Sequence, residues 1–202
     1  SETLNSIIEE CENGIVKIGF LARGINGIYI KISAKSDSES IAMAEIARVE
    51  QQVMDLVSDC VYAYDDETME SKIVELLSKC DSTLSIAESF TGGLVASRIV
   101  EVPGASNVLV GGQVLYSDEI KKSLLGIDFD DVYSKDCAEK MAKATLEIFD
   151  TDFAIATTGV AGPDTVVVNG LEHVRGECYF AIASKDRVEV VKMLLGGDRQ
   201  RV

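Results

Sequence analysis

A short β-rich run, Thr83-Leu84-Ser85-Ile86, passes straight into Ala87-Glu88-Ser89-Phe90-Thr91-Gly92-Gly93 and then into a helix-like stretch that reaches Glu101. A strand that breaks at a small hydroxyl residue and reopens as a helix requires a tight turn, and it leaves backbone N–H groups unpaired at the helix start. Ser89 could there serve as a nucleophile, with the amides of Thr91, Gly92 and Gly93 holding a phosphate or a developing oxyanion. The same residues also suit a capped helix after a tight turn, with no chemistry. Two later apolar runs end in a similar way. Val108 to Leu115 leads into Tyr116-Ser117-Asp118-Glu119-Ile120-Lys121, and Phe153 to Ala156 into Thr157-Thr158-Gly159-Val160-Ala161-Gly162-Pro163. Ligands of open α/β sheets gather where the loops at strand ends converge, so these three loops predict one site.

The rest of the chain reads as an alternation of helices and strands. Leu4, Ile7, Ile8 and Cys11 recur at helical spacing. Strand-like Ile15–Leu21 and Ile28–Ala34 flank Gly24-Ile25-Asn26-Gly27, and a long helix over about 38–58 presents Ala42, Ile46, Val49, Val53 and Leu56 on one face. Cys60–Ala63 is expected to return as a strand. The acidic run Asp65-Asp66-Glu67 marks the boundary and suits the positive end of a helix with Met69, Ile73, Leu76, Leu77 and Cys80 on its apolar face. Then follow a strand at Thr83–Ala87, a helix over Thr91–Glu101, a strand at Val108–Tyr116, a helix over Asp118–Leu125 and a helix capped by Ser134. Strands at Asp152–Thr157, Glu177–Ser184 and Arg187–Leu195 complete the pattern, the last two joined by a tight turn at Lys185-Asp186. Strands alternating with helices and ending in a hairpin indicate an α/β fold with a mixed sheet.

Charge narrows the function classes. The 202 residues carry a net charge of −15, and nucleic-acid backbones call for a basic surface. Gly24-Ile25-Asn26-Gly27 matches the GXXG loop of RNA-binding KH domains, but that loop joins two helices. Here it joins two strand-like runs, and a hairpin turn is the better account. No apolar stretch has the length of a membrane span and no signal peptide opens the chain, so a cytoplasmic protein is expected. The cysteines at 11, 60, 80, 137 and 178 are odd in number and mostly in apolar settings, which predicts reduced core thiols. The lone histidine, His173, has no metal-ligand cluster at any familiar spacing and is expected at a surface or in a hairpin. The sequence leaves open whether the chain forms a homo-oligomer.

Taken together, Ala87–Gly93, Tyr116–Lys121, Thr158–Pro163 and Gly197-Asp198-Arg199 resemble the ordered signature of the C-terminal domain of the CinA (competence/damage-inducible protein) family, the nicotinamide-nucleotide amidases. The resemblance covers residues 66–202 and implies a three-layer α/β/α domain with a mixed sheet. Residues 1–65 resemble the small α+β KH-like subdomain that precedes it in longer members, through Ile18–Leu21 and Tyr64–Thr68. Ser1 is not a methionine, and the family normally adds a final helix after Gly-Asp-Arg. Ser1 and the resemblance together leave room for a missing upstream domain.

The resemblance implies hydrolysis of the carboxamide of nicotinamide mononucleotide, with Ser89, Lys121 and Tyr116 as the catalytic group. Thr91, Gly92, Gly93, Thr158, Gly159, Gly162 and Arg199 would bind substrate. The partner would be a small pyridine nucleotide, and neither cofactor nor metal is required. A lysine acts as the base for a serine in known variants of the triad. Three departures stand out: Asp118 replaces an asparagine, Phe90 replaces a cysteine, and residues 164–176 replace a glycine-rich loop. The β-branched run Val166-Val167-Val168 with Asn169-Gly170 predicts an extra hairpin there, rimming the site. The alternative reading is a weak or inactive nucleotide-binding module of the same fold.

Overall fold

A computed structural model describes residues 2–12, 14–22 and 24–197. The chain divides into two compact units between Met69 and Glu70. No described helix is long and apolar enough to cross a membrane.

The first unit contains α1 (Glu2–Glu12), the antiparallel hairpin of β1 (Val16–Ala22) and β2 (Ile28–Ala34), and α2 (Glu39–Val57). Gly24 and Gly27 both take positive φ, and the Gly27 N–H donates to the Gly24 carbonyl at 3.1 Å. The GXXG segment is therefore a hairpin turn. Ile7, Cys11, Val16, Val49 and Val53 form the core. At the end of α2, Val57 packs against that core while Leu56 is exposed, contrary to the expected face. The expected strand at Cys60–Ala63 is absent. A 3-10 turn over Ser58–Cys60 closes α2, and the Tyr62 hydroxyl donates to the Asn26 carbonyl at 2.6 Å. A turn and a side-chain bond thus hold this segment, with no strand ladder.

The second unit runs α3 (Met69–Lys79), β3 (Leu84–Glu88), α4 (Leu94–Val100), β4 (Leu109–Val114), α5 (Asp118–Leu125), α6 (Lys135–Phe149), β5 (Phe153–Gly159), β6 (Val166–Val168), β7 (Leu171–His173), β8 (Glu177–Ser184) and β9 (Val188–Leu194). Five strands form one mixed sheet in the order β4-β3-β5-β8-β9. β4, β3 and β5 are mutually parallel, while β8 and β9 run antiparallel to their neighbours. The fold is thus α/β with a mixed sheet, as the strand–helix alternation predicts.

Side-chain alternation along the strands builds two cores. Ala87, Ala156, Ala181 and Ala183 meet Cys137, Ala138, Met141 and Ala142 of α6. These small residues let the helix lie close to the sheet. On the other face, Leu84 and Ile86 pack with Val74 of α3, Ile99 of α4, and Val108. Helices on both faces make three layers. The buried stripe of α3 is Ile73, Val74 and Leu77; Leu76 and Cys80 are exposed, so the stripe is turned toward Val74 relative to the expected face.

The junction of β3 and α4 departs most from expectation. α4 begins at Leu94, later than the expected Thr91, because Gly92 and Gly93 adopt positive φ in the intervening turn. Its first amides are capped from behind by Glu88, the last residue of β3. One carboxylate oxygen accepts from Gly93 N–H at 2.9 Å and Val95 N–H at 3.1 Å, and the other from Ala96 N–H at 2.8 Å. Glu88 is only 1% exposed, so removing it strands partly buried donors. Glu88→Ala should lower unfolding free energy by about 3 kcal/mol in urea titration, and Glu88→Gln, which keeps one acceptor oxygen, by about 1 kcal/mol.

Candidate active site

Ser89 is the first residue after β3, and its position is fixed from two sides. Its N–H donates to the Thr157 carbonyl on β5 at 3.1 Å, and the Leu115 N–H beyond β4 donates to the Glu88 carbonyl at 2.6 Å. Thr91 Oγ1 and Thr157 Oγ1 share a 2.8 Å hydrogen bond that bolts the turn to β5. The C-terminal ends of three parallel strands therefore meet at Ser89.

Lys121 reaches the same place from α5. Ser117 caps that helix, its hydroxyl accepting from Ile120 N–H at 3.2 Å. One turn in, Lys121 is 1% exposed, an unusual burial for a lysine. Its Nζ donates to the Tyr116 carbonyl at 3.4 Å and to Asp118 Oδ1 at 3.3 Å. The Tyr116 side chain is 64% exposed at the rim. Ser89, Phe90, Tyr116, Asp118, Lys121 and Tyr133 share one cavity of about 280 Å³ with Gly159–Asp164 and Val166. Phe90 is steadied by an edge-on contact with Phe180, ring centroids 5.8 Å apart.

The far wall is the Gly159–Asp164 loop and Val166, the first residue of a hairpin of β6 and β7 that forms at the expected place. Asn169 and Gly170 take positive φ at its turn, as a two-residue hairpin requires. Asn169 Nδ2 donates to the Asp130 carbonyl at 2.6 Å. His173, expected at a surface or in a hairpin, lies on hairpin strand β7 but is buried. Its Nε2 stands 3.1 Å from Asp131 Oδ2 and its Nδ1 3.4 Å from Glu177 Oε1. Tyr133 packs edge-on against its ring. Burial works against the Glu177 carboxylate, yet contacts from Lys192, Tyr179 and His173 hold it below its ordinary range. Burial, with Asp118, Tyr116 and Asp131 nearby, pushes the Tyr133 phenol up. Neither Tyr133 nor the His173 clamp was singled out from sequence, because only the fold brings residues 130–133 against 169–177.

Of the other sequence-expected binding residues, Gly159 and Gly162 line the cavity. A Cβ on Gly159 would sit 2.8 Å from the Glu177 carbonyl oxygen, so β8 passes too closely for any side chain. Thr91, Gly92, Gly93 and Thr158 are not in the wall. The Gly93 amide is taken by Glu88 and the Gly92 amide by the Ser89 carbonyl, while the Thr158 hydroxyl donates to the Val132 carbonyl at 2.7 Å. Among the described residues, the Phe90 and Thr91 amides donate to no protein group. Arg199 lies outside the described residues.

The cysteines stand apart from this chemistry. Cys11, Cys137 and Cys178 are buried, whereas Cys60 and Cys80 are exposed. Burial pushes the Cys137 thiol up to about 12 and the Cys178 thiol up to about 11, which leaves both protonated near neutrality. Among the described residues, no three His, Cys, Asp or Glu side chains converge as a metal-holding group.

Known proteins are similar to this chain in sequence and fold. Residues 66–202 match the family model described as the CinA C-terminal domain. A putative competence-damage inducible protein of Caldanaerobacter subterraneus is 36% identical over 180 residues, covering 87% of this chain and 43% of the relative. A CinA-like protein of Kosmotoga olearia is 32% identical over 206 residues, covering 100% of this chain and 48% of the relative. The chain therefore spans less than half the length of these relatives. The crystal structure of competence damage-inducible protein A from Klebsiella pneumoniae superposes with a TM-score of 0.61 at 26% identity, covering 65% of this chain and 83% of that one. A competence/damage inducible protein of Agrobacterium tumefaciens gives 0.59 at 28% identity, covering 65% and 82%. With its signature loops gathered at one sheet edge, the chain belongs to the CinA family through its C-terminal domain.

Proposed function

We propose that the second unit is a serine amidohydrolase that converts nicotinamide mononucleotide and water to nicotinic acid mononucleotide and ammonia. The observation that carries this reading is a shared cavity wall: Ser89, at the end of β3, and the buried amine of Lys121 open into the same space. Ser89 Oγ attacks the carboxamide carbon while Lys121 Nζ accepts its proton. The oxyanion is held by the amide of Phe90, a residue of the cavity wall whose N–H no described group occupies. The tetrahedral intermediate collapses, its C–N bond breaks, and the proton on Lys121 passes to the departing ammonia. Water then attacks the acyl-enzyme ester, giving its proton to Lys121, and Ser89 leaves with that proton restored. The Tyr116 carbonyl and Asp118 aim Nζ, and the Tyr116 phenol at the rim faces the substrate.

Ser89→Ala should abolish ammonia release by about a thousandfold or more without shifting the melting temperature, since groups that act as a unit fail together. Near-normal turnover in this variant would refute the serine mechanism. Lys121→Ala should lose a comparable amount, and Lys121→Arg should not recover it, because a guanidinium stays protonated. Full activity of the arginine variant would leave Lys121 only an electrostatic helper.

A second reading, a weak or inactive nucleotide-binding module, draws on residues 164–176, which put Asp164 and Val166 into the wall where the family resemblance implies a glycine-rich loop. An ordered wall narrows the choice of amide. Weak hydrolysis of nicotinamide mononucleotide by the native protein, increased by grafting a glycine-rich loop over 164–176, is the expected outcome. Full native activity, or a graft that changes nothing, shows that the hairpin is not the determinant.

A further inference from the structure

The described cavity has a charge problem that its own residues do not solve. Asp118 and Asp164 line it, and its one lining basic side chain, Lys121, is buried against Asp118. The whole chain carries −15. A phosphate-bearing substrate approaching this mouth meets net repulsion unless a cation stands beside it. Of the amides offered as a phosphate cradle, Gly93 is taken by the Glu88 carboxylate and Gly92 by the Ser89 carbonyl, and Thr91 is not in the cavity wall.

One cation, Arg175, has its stem against the wall at Gly162. Among the described arginines, Arg48 pairs with Glu10 and Glu45, Arg98 with Glu70, and Arg187 with Glu189. Arg175 is exposed and has no carboxylate partner among the described residues. Its stem is held in place: Cγ and Cδ lie 2.5 Å from where a Cβ on Gly162 would sit, and Gly162 is part of the cavity wall with a φ of +86°. The segment is fixed on both sides, with His173 clamped two residues before it and Gly176 N–H donating to the Val160 carbonyl at 2.8 Å just after it. An anchored stem with an unpaired guanidinium is a preorganised anion contact, since a planar fork matches phosphate oxygens.

We propose that Arg175 binds the phosphate monoester of the substrate and thereby selects nucleotide over nucleoside. The site reading above supplies the carboxamide end; this residue supplies the anionic end, from the inserted segment itself. Its contribution is uniform binding, made equally in ground and transition states, so it acts on KM and not on kcat.

The test measures binding by calorimetry on the Ser89→Ala background, with nicotinamide mononucleotide and nicotinamide riboside as probes, beside ammonia release from the Ser89 protein. Arg175→Met keeps the stem over Gly162 and removes the charge; Arg175→Lys keeps a charge and loses the fork. With Arg175 present the nucleotide should bind better than the riboside. That preference should fall about 10- to 100-fold in Arg175→Met and be partly kept in Arg175→Lys. An unchanged preference in Arg175→Met, an equal loss for both probes, or no preference with Arg175 intact each overturns the assignment. If the preference follows Arg175 but no ammonia is released, the amidase reading fails and the phosphate contact stands. If ammonia is released and the preference ignores Arg175, the reverse holds.

Discussion

The carboxylate of Glu88 is the interaction on which the rest of this site depends. A nucleophile placed on a turn is useful only if the turn cannot relax, and a strand-to-helix turn leaves several amides in need of acceptors. Glu88 supplies both oxygens to three of them, from the last position of β3. Its own carbonyl is meanwhile taken by Leu115, so the same residue ties β3 to the start of the loop that carries Tyr116 and leads to Lys121. The helix dipole is thus answered from within the protein. At this turn the Phe90 and Thr91 amides are left without an acceptor among the described residues. The site is preorganised at the cost of being a less general anion trap.

Burial divides the polar groups near the cavity by task. Lys121 is packed out of solvent and held by one carbonyl and one carboxylate, while Tyr116 lies open at the rim. The buried thiols of Cys137 and Cys178 stay protonated and serve as packing. The parallel arrangement of β4, β3 and β5 accounts for the gathering, since parallel strands put all their outgoing loops on one edge. β8, running the other way, contributes close passage beneath Gly159 and the Glu177 anchor.

Much of this was legible in the sequence where the governing physics is local. α5 lies at the expected Asp118–Leu125, where the structure shows Ser117 capping it and Gly126 ending it in a left-handed conformation. α6 followed from Ser134, and the hairpin of β6 and β7 from Asn169-Gly170. The convergence of three loops was readable because each follows a strand of one parallel set. What could not be read depends on partners fixed only by tertiary structure. Glu88 looked like one letter of a motif, and nothing in its neighbourhood says that its carboxylate turns back to amides five to eight residues ahead. His173 does lie on the hairpin as expected, but its burial was not legible because the two carboxylates that enclose it come from residue 131 and from β8. Leu56 and Leu76 satisfy helical periodicity and are still exposed, since periodicity says which residues share a face but not how much of that face is covered.

The inserted hairpin is joined to the rest of the mouth by bonds that belong to two separate stretches of chain. Asn169 holds the Asp130 carbonyl, His173 sits between Asp131 and Glu177, and Tyr133 leans on the His173 ring while its other side lines the cavity. His173 is the common element: it meets Asp131 of the first stretch and lies in the second, whose Glu177 is also paired with Lys192 at 2.7 Å. The two therefore form a single heritable cassette. An evolutionary change of substrate here would have to replace both stretches together, and a chimaera that exchanged one would inherit a mouth made of mismatched halves.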